Sequence, residues 1–209
     1  MWVKNVISRN SHERPDLAGT GADLARHLLS GMKLNHVSVE ETNAGDHYDP
    51  EAKAVRLSPA HYRRRSLAAI VIAAHEVGHA MQDAIGYGPL KYRTRLARNA
   101  DKIQNVGFAI MLAAPVLMLI FKHPAMALLQ VAAGVMLVGL TALMHVYTLP
   151  VEFDASFKRA LPVLEAGHFI PEQDLPAARE LLRAAAFTYV AAAAMSMLDI
   201  MRWFRVLRI

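Results

Sequence analysis

The feature that most constrains this chain is a pair of long apolar stretches near its middle. Residues 103–121 form a run of 19 whose strongly polar members, Gln104 and Asn105, stand at its start, and residues 125–149 form a run of 25 with few polar members. A helix that crosses a bilayer needs roughly 20 mostly apolar residues. The two runs therefore predict a transmembrane hairpin over 103–149. A buried two-helix core is the alternative, but such a helix rarely lacks charge on every face for so long.

The charges around these runs predict an orientation. Segment 91–102 carries five basic residues against one acid, and Lys158 and Arg159 follow the second run, whereas Lys122 is the only Lys or Arg of the connecting turn. Because cytoplasmic flanks of membrane helices are enriched in Lys and Arg, both ends of the hairpin should face the cytoplasm. We expect a multi-pass protein of the cytoplasmic membrane whose active site faces the cytoplasm. Residues 1–17 contain no apolar stretch long enough for a cleaved export signal.

The overall charge limits the partners. The formal net charge is +5, and the run Arg63 to Arg65 could contact nucleic acid or anionic lipid. Beside a membrane hairpin, lipid headgroups are the better match, so we predict a lipid bilayer and no nucleic acid as partners. The chain has no cysteine, so a transition metal would have to be held by imidazole and carboxylate groups.

Local patterns predict a mainly α fold with a short β edge strand. A turn and a cap near Thr20 start a helix that ends near Gly31, and the proline-free run 66–84 predicts a longer helix. The stretch 36–41 alternates between apolar and polar residues, and 54–57 follows a turn signal, so each can form a short strand.

The stretch "HEVGH" at 75–79 predicts a metal site. His75 and His79 are four residues apart on a helix, so both imidazoles can reach one zinc ion. Glu76 would stand beside the metal, where it can accept a proton from water as the general base. The same five-residue pattern also arises by chance on amphipathic surface helices. The apolar neighbours Ala73 and Ala74 argue against a surface position.

A catalytic zinc usually has three protein ligands and a fourth position for water. Asp83 could be the third ligand, but it lies only one turn beyond His79 on the same helix, where reaching the same ion is strained. Glu152 is the better candidate, because it opens a helix just after the second apolar run and the hairpin would return it to the membrane face. The alternative for Glu152 is a charge that interacts with a helix N-terminus.

Two further places could stabilise an oxyanion. The stretch "DHYDP" precedes the strand at 54–57, and His47 or Tyr48 within it could polarise a scissile carbonyl. The alternative is a turn capped by Asp side chains. Tyr189 lies in an apolar helix and is a second candidate. A buried tyrosine of the core is its alternative role.

Several of these stretches, taken in order, resemble the YugP-like neutral zinc metallopeptidases, which are bacterial membrane proteins. The matching stretches are "AGDHYDP" at 44–50, "KAVRLS" at 53–58, "AAHEVGHAMQ" at 73–82, "LPVEFDAS" at 149–156 and "AAFTYVAA" at 185–192. The resemblance covers residues from about 15 to 205. It implies a zinc-dependent endopeptidase in which His75, His79 and Glu152 bind zinc and Glu76 is the catalytic base.

The family is similar in plan to the HtpX and CAAX-prenyl membrane proteases. That plan implies one zincin-like domain over 1–209, with a catalytic part at 1–102 and 150–209 and the transmembrane hairpin at 103–149. This chain departs from it in two respects. It shows no N-terminal membrane anchor, and it has Ser156 where HtpX-type proteases carry an Asp four residues after the ligand Glu. We expect Ser156 not to orient a histidine as a carboxylate does, which leaves Asp154 as a candidate.

The predicted function is hydrolysis of peptide bonds in a protein or peptide substrate by a zinc-activated water. One rival is a non-catalytic membrane adaptor with a structural zinc, which would need four ligands and no Glu76. Another is an enzyme that uses the zinc on an ester or a non-peptide amide. The sequence predicts neither the natural substrate nor the oligomeric state.

Overall fold

The computed structural model describes residues 2–96 and 147–188, together with residues 98, 99, 105, 106, 109, 120 and 132. The chain divides into two units, Met1–Lys91 with Leu149–Thr188 and Tyr92–Thr148 with Tyr189–Ile209. Most of the second unit lies outside the described residues. Within it, the rings of Tyr92 and Tyr147 meet edge to face with centroids 5.9 Å apart.

The described elements are mostly helices around one small sheet. In chain order they are α1 (Trp2–Arg9), α2 (Gly21–Gly31), β1 (Ser38–Glu41), β2 (His47–Asp49), β3 (Ala54–Leu57), α3 (Pro59–Arg63), α4 (Leu67–Ala84), α5 (88–96), α6 (147–153), a π-helix (Asp154–Ala160), α7 (Leu161–Ala166), a short 3-10 turn (Glu172–Asp174) and α8 (175–188).

Helices α2 and α4 begin where the sequence predicts. Thr20 caps α2 in a capping box with Asp23, in which each side chain bonds the other residue's backbone N–H. Ser66 caps α4 by accepting a hydrogen bond from the backbone N–H of Ala69. Helix α4 is the centre of the first unit and is buried along most of its length, since α2 packs against it on one side and the π-helix on another.

The three strands form one sheet in the order β1-β3-β2, with β1 parallel and β2 antiparallel to β3. The strands predicted at 36–41 and 54–57 are confirmed as β1 and β3, but β3 is the central strand, and β1 and β2 form the edges. On the exposed face, Arg56 donates hydrogen bonds to Glu40 on one side and Asp49 on the other, at 3.0 and 2.7 Å. These charge-assisted bonds tie the three strands together.

The membrane part of the predicted fold class is wrong for the described structure. Among the residues that the structure describes, no helix combines the length and the apolar character that crossing a bilayer requires. The apolar helix α4 is 18 residues long, but His75, Glu76 and His79 interrupt it, and its burial comes from packing within its own unit. The hairpin itself was predicted at 103–149, almost all of which lies outside the described residues.

The close packing of α2 on α4 makes Gly21 sensitive to substitution. A Cβ at this position would overlap the carbonyl oxygen of His61 and lie 2.7 Å from that of Ala69, both of them backbone atoms that cannot swing aside. We expect Gly21→Ala to lower the free energy of unfolding by about 1–3 kcal/mol. Gly31→Ala is the control, because nothing lies within 4 Å of its Cβ.

Alanine is favoured over glycine in helices by up to about 1 kcal/mol, so Gly31→Ala should be neutral or stabilising. Urea unfolding of both variants beside the wild type measures the difference. Equal stability of the two variants would contradict the described packing of α2.

Candidate metal centre

Three side chains meet in the interior of the first unit. His75 and His79 lie one turn apart on α4, and their Nε2 atoms face the same carboxylate oxygen of Glu152, Oε2, at 3.1 and 3.3 Å. The two rings are 4.8 Å apart and almost perpendicular. One ligand atom from each of the three residues lies within 4.8 Å of the other two. The structure therefore brings together the three residues that the sequence predicts as ligands.

This geometry fits a zinc ion. A tetrahedral zinc with bonds of roughly 2.0–2.1 Å holds its ligand atoms about 3.3 Å apart, close to the two distances from Glu152. The side chains are almost wholly buried, with relative exposures of 4% for His75, 4% for His79 and 1% for Glu152. Two imidazoles and one carboxylate are also a common ligand set of catalytic zinc sites.

The carboxyl of Glu152 is held in its charged form. Burial on its own would raise its pKa, because a low-dielectric interior disfavours the carboxylate. The neighbouring imidazoles of His79 and His75 outweigh burial and keep the pKa of Glu152 well below its usual range. Glu152 therefore offers an ionised oxygen, the form that a metal requires.

Helix α4 and the π-helix approach very closely beside the ligands. A Cβ added to Gly78 would lie 2.7 Å from the backbone oxygen of Ala155, so this approach requires a glycine. Gly78 directly precedes His79, and Ala155 follows Glu152 by three residues. The backbone contact therefore sets the distance between the two elements that carry the ligands. π-Helical turns frequently occur at functional sites.

Ser156 contacts the first histidine. Its Oγ lies 3.0 Å from Nδ1 of His75 and donates a hydrogen bond to the carbonyl oxygen of Leu182 at 3.3 Å. A carbonyl can only accept, so the hydroxyl proton points to Leu182 and the Ser156 oxygen accepts from N–H of His75. In the neutral imidazole that a metal binds, Nε2 of His75 then carries the lone pair and faces Glu152. Ser156 was expected not to orient a histidine as a carboxylate does; the structure places its hydroxyl, together with the carbonyl of Leu182, against His75.

The structure shows the contacts of two other carboxylates, Asp154, a candidate partner of a histidine, and Asp83, a candidate zinc ligand. Asp154 does not reach an imidazole directly; its carboxylate accepts from Gln82 and Arg159 at 2.8 and 2.7 Å. Asp83 accepts from the hydroxyl of Tyr48 at 2.6 Å and from the ammonium of Lys53. Asp83 thus joins the sheet to α4 and is not part of the ligand group.

The other predicted site residues are Glu76, His47, Tyr48 and Tyr189. Glu76 is buried on α4 next to His75. His47 lies in β2, half-buried, with Nδ1 2.9 Å from the carbonyl oxygen of Gly45. Burial and the hydrogen bond to Asp83 raise the pKa of Tyr48, so its hydroxyl stays protonated and bound there. Tyr189 lies outside the described residues. The catalytic roles of Glu76, His47 and Tyr189 stay predictions.

The sequence analysis missed Gln82, which is fully buried and contacts His79. A signal for it was present, since Gln82 closes the stretch "AAHEVGHAMQ" three residues after His79. That spacing places it on the same face of α4 as the histidine.

Comparison with known proteins gives two matches. Residues 1–208 match the sequence model of the family described as "Putative neutral zinc metallopeptidase". Over 203 residues the chain is 34% identical to a protein of Bacillus subtilis (strain 168) named "Putative membrane protease YugP", a match that covers 96% of this chain and 86% of the relative. No solved structure matches the chain.

The contact between Ser156 and His75 predicts a measurable effect on metal binding. Partners of metal-ligating histidines typically contribute 10–100-fold to affinity, so Ser156→Ala should weaken zinc binding by about that factor. Ser66→Ala is the matched control, because Ser66 is an equally buried serine that caps α4 far from the imidazoles. Competition with a chromophoric zinc chelator measures both affinities. Equal zinc affinity in the two variants would contradict the role of Ser156.

Proposed function

The chain belongs to the neutral zinc metallopeptidase family, and we propose that it is a zinc-dependent endopeptidase that works at a membrane. The prediction of this family and of zinc as its cofactor is confirmed. A peptidase family implies a protein or peptide substrate. The observation that carries the proposal is the buried group of His75, His79 and Glu152 with the carboxylate of Glu76 on the same helix.

Each residue has a distinct role in this proposal. The Nε2 atoms of His75 and His79 and the carboxylate of Glu152 hold the metal. When bound, zinc supplies Lewis acidity, which polarises a peptide carbonyl and makes water more acidic. The carboxylate of Glu76 accepts the proton of the attacking water and passes it to the departing amine nitrogen. Because Glu76 is buried, this proton is held away from bulk water.

The number of protein ligands favours a catalytic zinc site over a structural zinc site. A structural zinc is usually closed by four protein ligands, whereas a catalytic zinc keeps one position for water or substrate. Within the described part of the chain, the metal-ligating group consists of three residues. A non-catalytic adaptor would also have no use for the buried carboxylate of Glu76.

The sheet offers a place for the substrate. Strand β2 is at one edge, and Tyr48 joins it to Asp83, one turn beyond His79 on α4. An extended peptide that adds to this edge would be held by backbone hydrogen bonds and would lie across the end of the zinc helix. His47 and Tyr189 stay the sequence-predicted candidates for the oxyanion stabiliser. In β2 the side chain of His47 shares the face of Arg56, opposite to the face from which Tyr48 reaches α4.

The place of action is also part of the proposal. The relative from Bacillus subtilis is named as a membrane protease. We therefore assign the protein to a membrane, with lipid as a contact. The cytoplasmic orientation of the active site stays a prediction of the basic residues in 91–102.

Substitution of Glu76 tests the catalytic assignment. Glu76→Gln keeps the size of the side chain but cannot accept a proton, so casein cleavage should fall by about 10²–10⁴-fold while bound zinc stays near one per chain. Zinc content is measured by atomic absorption on the same samples. Cleavage that persists in Glu76→Gln would contradict the role of this residue.

Glu152→Ala serves as the companion variant, because it should lose zinc and cleavage together. Unchanged zinc content in Glu152→Ala would show that another residue is the third ligand. If wild type and Glu76→Gln both hold zinc and neither cleaves any peptide, the result supports a non-catalytic adaptor with a structural zinc and contradicts the proposed protease.

Membrane location has its own test. We expect the full chain, expressed in a bacterium, to sediment with the membrane fraction and to remain there after a high-salt wash, because its apolar residues would hold it by more than surface charge. Immunoblotting of the pellet and supernatant measures the distribution. Recovery of the protein in the supernatant before any wash would contradict the proposal.

A further inference from the structure

Gln82 is a fully buried polar side chain in which both ends of the amide are used. Its Oε1 lies 2.9 Å from Nδ1 of His79. Its Nε2 donates to the backbone oxygen of Val151 and to Oδ2 of Asp154, each at 2.8 Å. A buried amide with all of these contacts is held in one orientation, because any rotation would break several bonds without access to water.

These contacts determine which nitrogen of His79 carries a proton. The carbonyl of Val151 and the carboxylate of Asp154 only accept, and Arg159 also donates to that carboxylate. The NH₂ group of Gln82 must therefore face them, and its oxygen must face His79. An amide oxygen also only accepts, so Nδ1 of His79 must be the donor. In the neutral imidazole, which is the form that binds a metal, the lone pair of His79 is then on Nε2, the atom that faces Glu152.

The same amide also joins the two elements that carry the ligands. Gln82 lies on α4 with the histidines, whereas Val151 and Asp154 stand on either side of Glu152 in the chain. The bonds to these two residues hold the segment around Glu152 against α4. Gln82 thus fixes the orientation of His79 and the position of Glu152.

We propose that Gln82 is a positioning residue of the zinc site, which fixes His79 with its Nε2 lone pair toward the metal and holds the Glu152 segment beside it. This proposal rests on the proposed function, because it assumes zinc at His75, His79 and Glu152. It goes beyond that function because it attributes part of the zinc affinity to Gln82, which touches neither metal nor substrate.

The competing explanation is that Gln82 only fills space and stabilises the fold. In that case its loss would lower stability, and zinc affinity would change no more than in any equally destabilised variant. Asp83→Asn is the matched control. Asp83 is the next residue of α4, its ion pair with Lys53 holds the sheet, and it does not belong to the metal-ligating group.

The experiment measures zinc dissociation constants of the full chain by chelator competition, with visible spectra of the Co²⁺-substituted proteins as a report on ligand geometry. Gln82→Met has a similar volume but no acceptor for His79. It should bind zinc about 10–100-fold more weakly than wild type and show an altered cobalt spectrum. Asp83→Asn should stay within about threefold of wild type, with an unchanged spectrum. Similar zinc affinity in Gln82→Met and Asp83→Asn would overturn the proposal.

A rescue variant keeps the test decisive even when Gln82→Met fails to fold. Gln82→Glu keeps an acceptor for His79 but leaves the carbonyl of Val151 without its donor, and it is combined with Asp154→Asn so that two carboxylates do not face each other. Because the contact that orients His79 is kept, the double variant should show the cobalt spectrum of Asp154→Asn alone, while its zinc affinity can fall with the loss of the Val151 contact. A cobalt spectrum altered relative to Asp154→Asn would overturn the proposal. If wild type itself binds no zinc, the proposed function fails instead, so the two failures are distinguishable.

Discussion

The structure depends on the meeting of three metal-ligating side chains in a place from which water is almost excluded. Two imidazole nitrogens and a carboxylate oxygen that point at one another need a shared proton or a metal ion between them. The two histidines come from one helix, whereas Glu152 lies 77 positions after His75 in the chain. The surrounding fold therefore has to hold two distant segments at a spacing of a few ångströms. The contact of Gly78 with Ala155 provides that spacing.

The polar residues of α4 have different partners, because their side chains point in different directions. His75 and His79 face Glu152, and each is supported on its other nitrogen by a different partner, a serine hydroxyl or a glutamine amide. Gln82 reaches toward the segment around Glu152, while Asp83 reaches the opposite way to Tyr48 of the sheet. Helix α4 thus makes hydrogen bonds both to the segment around Glu152 and to the sheet.

Local patterns predicted much of this arrangement. The spacing of His75 and His79, the caps of α2 and α4 and the strands β1 and β3 depend on neighbouring residues, and the sequence shows them directly. No local rule links Glu152 to α4, so its choice depended on its position after the second apolar run and on the family resemblance. Ser156 was not predicted as a partner of His75, which lies 81 positions away in the chain. Gln82 was not predicted although His79 is only three residues away, because its other partners lie around Glu152. The hairpin prediction rested on hydropathy and the family plan, and hydropathy does not distinguish lipid from a protein interior.

The π-helix limits which insertions and deletions this segment can accept during evolution. A π-helical turn contains more residues than an α-helical one, and each added or lost residue rotates everything beyond it by about 100°. Residues Asp154–Ala160 include Ser156, which supports His75, and Arg159, which contacts Asp154. A single-residue deletion here would turn these side chains away from their partners. Length in this stretch should therefore be under stricter selection than the identity of its exposed residues.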